Sequence, residues 1–277
     1  MFKKSLKQVS LQGVLIISSI CAVLPFLYMI ATALTEDTFT MPYPPILIPK
    51  TFYVGNFIEA WTSSNFSRYF LNSLFVASVT TIAALFISTL SAYGFAKMKF
   101  KGKNIVFNLY LFSMMIPTIL ALVSQYTVIN SLGLVDTYTG LLLLYVSGGV
   151  AGNTFFLKGF FEGLPKELEE SILIDGGSKW TIYRHIILPL SKPALGTLAI
   201  MTFSGTWDEF FAALTIIKTE SMRTLPVALK LFQGQQATKW GLVFAASLIA
   251  LIPILIIFIT FQKSFLKTGA TEGAVKG

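Results

Sequence analysis

The stretch that decides the reading of this chain is Leu164–Pro193, LPKELEESILIDGGSKWTIYRHIILPLSKP. It is the longest charged interruption in an otherwise apolar sequence, and a long apolar run lies on either side of it. Pro165 suits the first turn of a helix, where its missing N–H costs nothing. Glu167, Glu169 and Glu170 follow, placing negative charge near the positive end of that helix's dipole. Leu164, Leu168 and Ile172 recur every four residues and form one apolar stripe. Asp175-Gly176-Gly177 should end the helix, because glycine takes the left-handed conformation needed there. Ser178 can cap a second helix carrying Trp180, Ile182 and Tyr183. Pro189 and Pro193 bracket the entry to the next apolar run.

The rest of the chain sets the solvent around this segment. Of 277 residues, 54% are hydrophobic and 12% are charged, against about 25% charged in an average soluble domain. With a mean hydropathy of +0.71, an ordinary soluble globule is excluded. The formal charge of +8 comes from basic residues clustered between apolar runs, which points to membrane topology rather than to nucleic acid. The single cysteine, Cys21, lies within an apolar run, so neither an internal disulfide nor a cysteine-based metal site can form. His185 is the single histidine and has no metal-ligating companions in its neighbourhood of sequence.

A membrane-crossing helix needs about 20 mostly apolar residues. Six stretches qualify, at Leu11–Ala33, Tyr69–Ala96, Ile105–Ile129, Tyr138–Leu157, Pro193–Ile217 and Gly241–Phe261. None alternates with the period of a barrel strand, so the expected fold is an all-α polytopic membrane protein with six transmembrane helices. The first run follows Lys3, Lys4 and Lys7 and ends near Ala31-Thr32-Ala33, a signal-like pattern. It is longer than a signal core and contains Pro25, so it reads as a retained span.

Lysine and arginine then orient the bundle. With the N-terminus cytoplasmic, the inner segments hold the cluster Lys97, Lys99, Lys101 and Lys103, and the charged segment adds Lys158, Lys166, Lys179, Arg184 and Lys192. The outer segments hold fewer basic residues, although the last outer loop, with Lys218, Arg223, Lys230 and Lys239, runs against the trend. Both termini are therefore expected in the cytoplasm. The expected divisions are 1–68 (tail, first span and a large outer loop with Pro42, Pro44, Pro45 and Pro49), a core at 69–262, and a cytoplasmic tail at 263–277.

By physics alone, the charged segment is either an amphipathic hairpin on the inner leaflet or a protein-docking hairpin. Three clustered glutamates on an anionic leaflet weigh against the first. No G-x-x-x-x-G-K-[ST] nucleotide loop occurs in the chain. Gly148-Gly149-Val150-Ala151-Gly152 lacks the lysine, and Gly148 and Gly152 read as a small-xxx-small helix contact. Asn72, Asn108, Gln125 and Asn153 lie within spans and read as helix-to-helix hydrogen-bonding groups, with hydrogen bonds to a ligand's hydroxyls as the alternative. Asp208 and Glu209 are adjacent acids within a span. Such residues are often functional, here as lining of a translocation path, unless they sit at the outer interface.

The run Glu170-Ser171-Ile172-Leu173-Ile174-Asp175-Gly176-Gly177, followed by Ile186-Ile187-Leu188-Pro189, resembles the EAA signature of ABC importer permeases, E-A-A-x-x-D-G-A and then I-x-L-P. Glu170, Asp175, Gly176, Ile186, Leu188 and Pro189 match it. Ser171, Ile172 and Gly177 replace three alanines of the pattern. Trp207-Asp208-Glu209-Phe210 is similar to the W-N/D-x-F of the carbohydrate branch of these MetI-like permeases. The tail Gly273–Gly277 is similar to the end of the maltose-type "G" subunit.

The resemblance implies a permease subunit of an ATP-driven, solute-binding-protein-dependent importer in the bacterial cytoplasmic membrane, forming half of a path for a sugar, an oligosaccharide by preference. It implies that the segment forms a pair of coupling helices docked on a cytoplasmic ATPase. Glu170, Ser171, Ile172, Asp175, Gly176 and Gly177 would make and shape that contact, and Leu188 and Pro189 would pass movement to the fifth span. Trp207, Asp208 and Glu209 are the candidates for the path. The implied partners are a second, homologous permease, two ATPase subunits that bind ATP and magnesium, and an extracytoplasmic solute-binding protein. The chain itself is not expected to be an enzyme or to hold a cofactor. A non-sugar cargo and an ion-coupled secondary transporter are the alternatives. The second would need ionisable relays that are sparse here and inverted repeats that are not evident.

Overall fold

A computed structural model of the chain describes residues 2–36, 44–45, 47–49, 52–63, 65–235 and 239–274. Pro42, Lys50 and the last three residues of the Gly273–Gly277 tail lie outside the described residues. Within them the chain is helical and carries no strand. The helices are α1 (Phe2–Ala33), α2 (Gly55–Thr62), α3 (Phe66–Lys97), α4 (Lys103–Met114), α5 (Thr118–Ser131), α6 (Tyr138–Glu162), α7 (Glu167–Ile174), α8 (Lys179–Ile182), α9 (Leu188–Leu190), α10 (Lys192–Trp207), α11 (Phe211–Ile216), α12 (Leu225–Gln235) and α13 (Trp240–Ala274). A π turn, Tyr183–Ile187, joins α8 to α9, and a 3₁₀ turn covers Glu220–Met222.

Four helical stretches are long and apolar enough to cross a bilayer alone: Gln8–Ala33, Phe66–Lys97, Tyr138–Glu162 and Trp240–Gln262. Two bent pairs raise the number to six if each is one span. The expected third span, Ile105–Ile129, is thus not straight. Pro117 has no N–H for a preceding carbonyl, and α4 and α5 meet there at 109°. The expected fifth span, Pro193–Ile217, is also broken. Helix α10 stops at Trp207, and a separate short helix, α11, follows. The continuous apolar run concealed both breaks.

Two compact units divide the chain: Met1–Arg68 with Ala228–Ile252, and Tyr69–Val227 with Pro253–Gly277. In the first, the Asn56 amide donates to the carbonyls of Ala33 and Thr35, both at 2.9 Å, and so ties α2 to the end of α1. The rings of Tyr28 and Phe244 meet edge to face, and Lys239 pairs with Glu59 at 3.1 Å.

The second unit has two cores strung along the same long helices. One contains Val76, Ile129, Leu141, Ala213 and Ile216. The other contains Tyr93, Leu157, Phe161, Tyr183 and Ile187. Helix α3 supplies Val76 to one and Tyr93 to the other, about 25 Å apart along its axis at 1.5 Å per residue. Where the surroundings are as apolar as the side chains, helices associate through close packing and hydrogen bonds rather than through water exclusion. Small residues do this on α3: Ala77, Ala84 and Ala92 are fully buried. Ser88 donates to the Val150 carbonyl of α6 at 3.3 Å.

The glycine contact expected at Gly148 is made one residue later. A Cβ at Gly149 would sit 3.8 Å from Ala84, while nothing lies within 4 Å of one at Gly148. Gly152 faces Met114 instead. Helices α4 and α5 expose Ile105, Leu109, Phe112, Leu120 and Val123, side chains suited to lipid.

Candidate functional site

The segment 164–193 folds as a helical hairpin seated on the C-terminal end of α3 and on α6. Pro165 lies just ahead of α7 rather than in its first turn, and Lys166 is the N-cap residue. Glu167, Glu169 and Glu170 occupy the first turn. The end of α7 is a Schellman motif: Gly177 N–H donates to the Ile172 carbonyl (2.8 Å) and Gly176 N–H to the Leu173 carbonyl (3.1 Å). Gly176 sits at φ +77°, a conformation costly for any residue with a Cβ. Asp175 is the exposed C-cap residue. Ser178 then caps α8 in a reciprocal capping box with Thr181.

The apolar stripe splits in two. Leu164 and Ile172 pack inward against the core around Tyr93 and Phe161. Leu168, Leu173 and Ile174 point outward, 40%, 52% and 85% exposed. Glu170 and Ser171 share the exposed surface. Ile172 therefore belongs to the packed side of α7 and not to its exposed face.

Its position also explains Gly177. A Cβ on residue 177 would collide with Ile172 Cγ2 and would lie 2.9 Å from the Ile172 carbonyl oxygen. The branch of the isoleucine fills the space that an alanine methyl at 177 would occupy, and the backbone carbonyl oxygen crowds that methyl whatever side chain stands at 172.

Several residues that hold this segment carried no signal in the reading of the site. Lys97, the last residue of α3, forms an ion pair with Glu169 of α7, with side chains only 9% and 17% exposed. Its ammonium also donates to the Leu164 carbonyl at 3.4 Å. One turn back, the Tyr93 hydroxyl donates to the Lys179 carbonyl at 2.8 Å. One turn further back, Thr89 Oγ1 and the Tyr183 hydroxyl are 2.8 Å apart. The positions 89, 93 and 97 share a single face of α3. Their partners are far away in sequence, so local spacing could not reveal them.

Beyond α8 the helix widens into the π turn. Pro189 offers no N–H to the His185 carbonyl and its ring crowds that group, so the turn before it opens. His185 is exposed, and its Nδ1 lies 3.1 Å from the Thr181 carbonyl. At Ser191 the chain bends by 71° into α10. The buried Ser191 hydroxyl donates to the Ile187 carbonyl at 2.6 Å, which also accepts the Ser191 N–H at 3.0 Å. Leu188 packs on the same core as Ile187, and Pro189 is exposed.

The other candidates separate by role. Trp207 is 2% exposed, wedged between Phe70 and Phe203. Glu209 is committed to structure: its carboxylate accepts from the N–H groups of Ala212 (2.9 Å) and Ala213 (3.1 Å) and from the Tyr145 hydroxyl (2.6 Å). It thereby satisfies two N–H groups in the first turn of α11, the helix that follows the break after Trp207. Asp208, the C-cap residue of α10, is exposed.

Asn72 and Asn153 act between segments. The first donates to the carbonyls of Ser221 and Arg223, both at 2.9 Å, and the second to Thr202 Oγ1 at 3.1 Å. Among the described residues no group of three or more His, Cys, Asp or Glu side chains could hold a metal ion.

The family described as "Binding-protein-dependent transport system inner membrane component" matches residues 84–267, which include the whole hairpin and the helix breaks at Pro117 and after Trp207. The trehalose/maltose transport system permease protein MalG of Thermococcus litoralis is 35% identical over 268 residues, covering 96% of this chain and 95% of that protein. The arabinooligosaccharides transport system permease protein AraQ of Bacillus subtilis is 34% identical over 83% of this chain and 81% of its own length. Among solved structures, a chain of a bacterial ABC transporter involved in the import of the acidic polysaccharide alginate shares the fold. Its TM-score is 0.82 at 21% identity, with 94% of this chain and 96% of that chain covered. The chain is a multi-pass membrane protein and belongs to the family of binding-protein-dependent transport system inner membrane components.

Proposed function

We propose that this chain is one of two different permease subunits of an ATP-driven importer in the bacterial cytoplasmic membrane, with six spans, both termini and the 164–193 hairpin on the cytoplasmic side. Two ATPase subunits supply the energy, and an extracytoplasmic binding protein delivers the cargo. The observation that carries this reading is the split of α7. Leu168, Leu173 and Ile174 stand exposed beside Glu170, on a base fixed by Ile172, the Schellman end and a partly buried ion pair. An apolar face rimmed by acid on a rigid short helix suits a groove in a partner protein. It is less suited to an anionic leaflet.

An oligosaccharide is the favoured cargo, because the printed names of relatives that align along most of the chain concern trehalose or maltose and arabinooligosaccharides. Asp208 is the acid of the 207–209 run left to face the path, with Trp207 and Glu209 shaping the backbone that presents it.

The test is Glu170→Lys in the assembled transporter. A charge-assisted hydrogen bond at a docking rim contributes about 1.5–3 kcal/mol, so at least a tenfold loss of ATPase association is expected, with the chain still inserted in the membrane. Undiminished co-purification of the ATPase together with undiminished ATP hydrolysis would refute the docking assignment.

A further inference from the structure

Helix α3 holds the hairpin at one end and a distant loop at the other. Towards its C-terminus, Thr89, Tyr93 and Lys97 recur at i, i+4 and i+8 and reach three different parts of the hairpin: the Tyr183 hydroxyl in the π turn, the Lys179 carbonyl at the start of α8, and the Glu169 carboxylate of α7. Around them the rings of Tyr93 and Tyr183 lie 5.3 Å apart inside a buried core.

Near the other end of α3, Asn72 donates to the carbonyls of Ser221 and Arg223, Ser73 Oγ accepts the Leu225 N–H at 2.7 Å, and the Tyr69 hydroxyl donates to Glu220 at 3.2 Å. The two sets of contacts are joined by continuous helix. Asn72 to Lys97 spans about 37 Å at 1.5 Å per residue. No proline interrupts α3, whereas the route through Leu188 and Pro189 passes a π turn and a 71° bend.

We propose that Thr89, Tyr93 and Lys97 are positioning residues that clamp the coupling hairpin to α3, so that hairpin, α3 and the 220–225 loop move as one body when the ATPases close. The proposal rests on the reading of α7 as the ATPase contact and adds the element that receives its movement. The hinge at Pro189–Ser191 then absorbs the relative motion of α10, and α3 carries displacement across the membrane without loss. Rigid helices that shift as units are a general means of carrying such changes, and a stated two-state element is what a coupling claim requires.

The test uses the four-subunit complex in nanodiscs, with Cys21→Ser and spin labels at two exposed positions, Glu167→Cys on α7 and Leu71→Cys on α3. The distance between the labels is measured without nucleotide and after trapping with MgATP and vanadate. An unchanged, narrow distance in both states is expected. Lys97→Glu should broaden it in the trapped state, and Lys97→Glu with Glu169→Lys should restore it. Tyr93→Phe, which keeps the ring in the core, should broaden it less.

A distance that changes between the two states in the otherwise unaltered chain overturns the proposal. So does a narrow distance in both Lys97→Glu and Tyr93→Phe. Retention of the ATPase is scored in every sample. If it stays bound while the distance behaves against expectation, the clamp is wrong and the docking reading stands. If Glu170→Lys also leaves the ATPase bound, the docking reading is the one that falls.

Discussion

The pairing of Ile172 with Gly177 makes a quantitative claim. A methyl at residue 177 would collide with Ile172 Cγ2 and stand 2.9 Å from the Ile172 carbonyl oxygen. Gly177→Ala must therefore push the isoleucine off its rotamer, at an overpacking cost of about 1–3 kcal/mol. Ile172→Ala empties a half-buried site that packs on the core around Phe161. That costs about 1–2 kcal/mol, the lower end for such truncations because the site is partly open.

If the two effects were independent, the double variant would lose their sum, about 3.5 kcal/mol at the centre of these ranges. The structure requires less. With the isoleucine branch gone, the clash with Cγ2 disappears and only the tight approach to the carbonyl remains. With that backbone approach still to be relieved, the double variant should lose about 2–3 kcal/mol, leaving a coupling of about 1 kcal/mol between the sites. The assay is the melting temperature of the purified chain in detergent, where about 2–4 °C corresponds to each kcal/mol in a chain of this size. Gly177→Ala should lower it by about 4–8 °C, and the double variant should lose less than the sum of the two single losses. A double variant that melts at the sum of the two single losses, or a Gly177→Ala variant with no loss, would show that the two residues do not share the space.

The adjacent acids should differ sharply. Glu209→Ala strands the Tyr145 hydroxyl and two N–H groups and should cost about 2–4 kcal/mol, seen as a lower melting temperature. Asp208→Ala, at an exposed position, should stay within about 0.5 kcal/mol yet reduce uptake of the sugar recognised by the companion binding protein. Normal uptake would remove Asp208 from the path.

Asp136, in the loop between α5 and α6, accepts from the Thr219 hydroxyl (2.6 Å) and from the N–H groups of Thr219 (2.8 Å) and Lys218 (2.9 Å). These bonds hold its carboxyl below the ordinary carboxylate value, with the Thr219 hydroxyl the largest cause. A depressed folded-state value means that the contribution is complete above the unfolded value of about 4 and fades as pH falls through the lower folded one. The melting temperature should therefore drop below about pH 4, and Asp136→Asn should flatten that drop. Parallel profiles for the two chains would contradict it.

Much of this protein is legible in its residues. Charge and hydropathy place it in a bilayer, because a chain this apolar cannot stay soluble and the bilayer sets the length of its spans. The turn at Asp175-Gly176-Gly177 and the cap at Ser178 also follow from local chemistry, since backbone conformation and a hydroxyl three residues from an N–H are short-range matters. Pro117 was not read as a break, because the apolar run around it suggested a straight helix. The break after Trp207 was harder to see, because an acid inside a span has no fixed meaning until its partners are known.

What the tertiary structure decided is which side of each helix faces what. Ile172 turns inward and Leu173 outward because α3 and α6 occupy one flank of α7. Glu209 receives the hydroxyl of Tyr145, 64 residues away, beside the two local N–H groups that it satisfies. Lys97 finds Glu169 across 72 residues. Periodicity gives the faces of a helix but not their neighbours. Those are fixed only when distant segments pack, and the grip of α3 on the hairpin exists only in the folded chain.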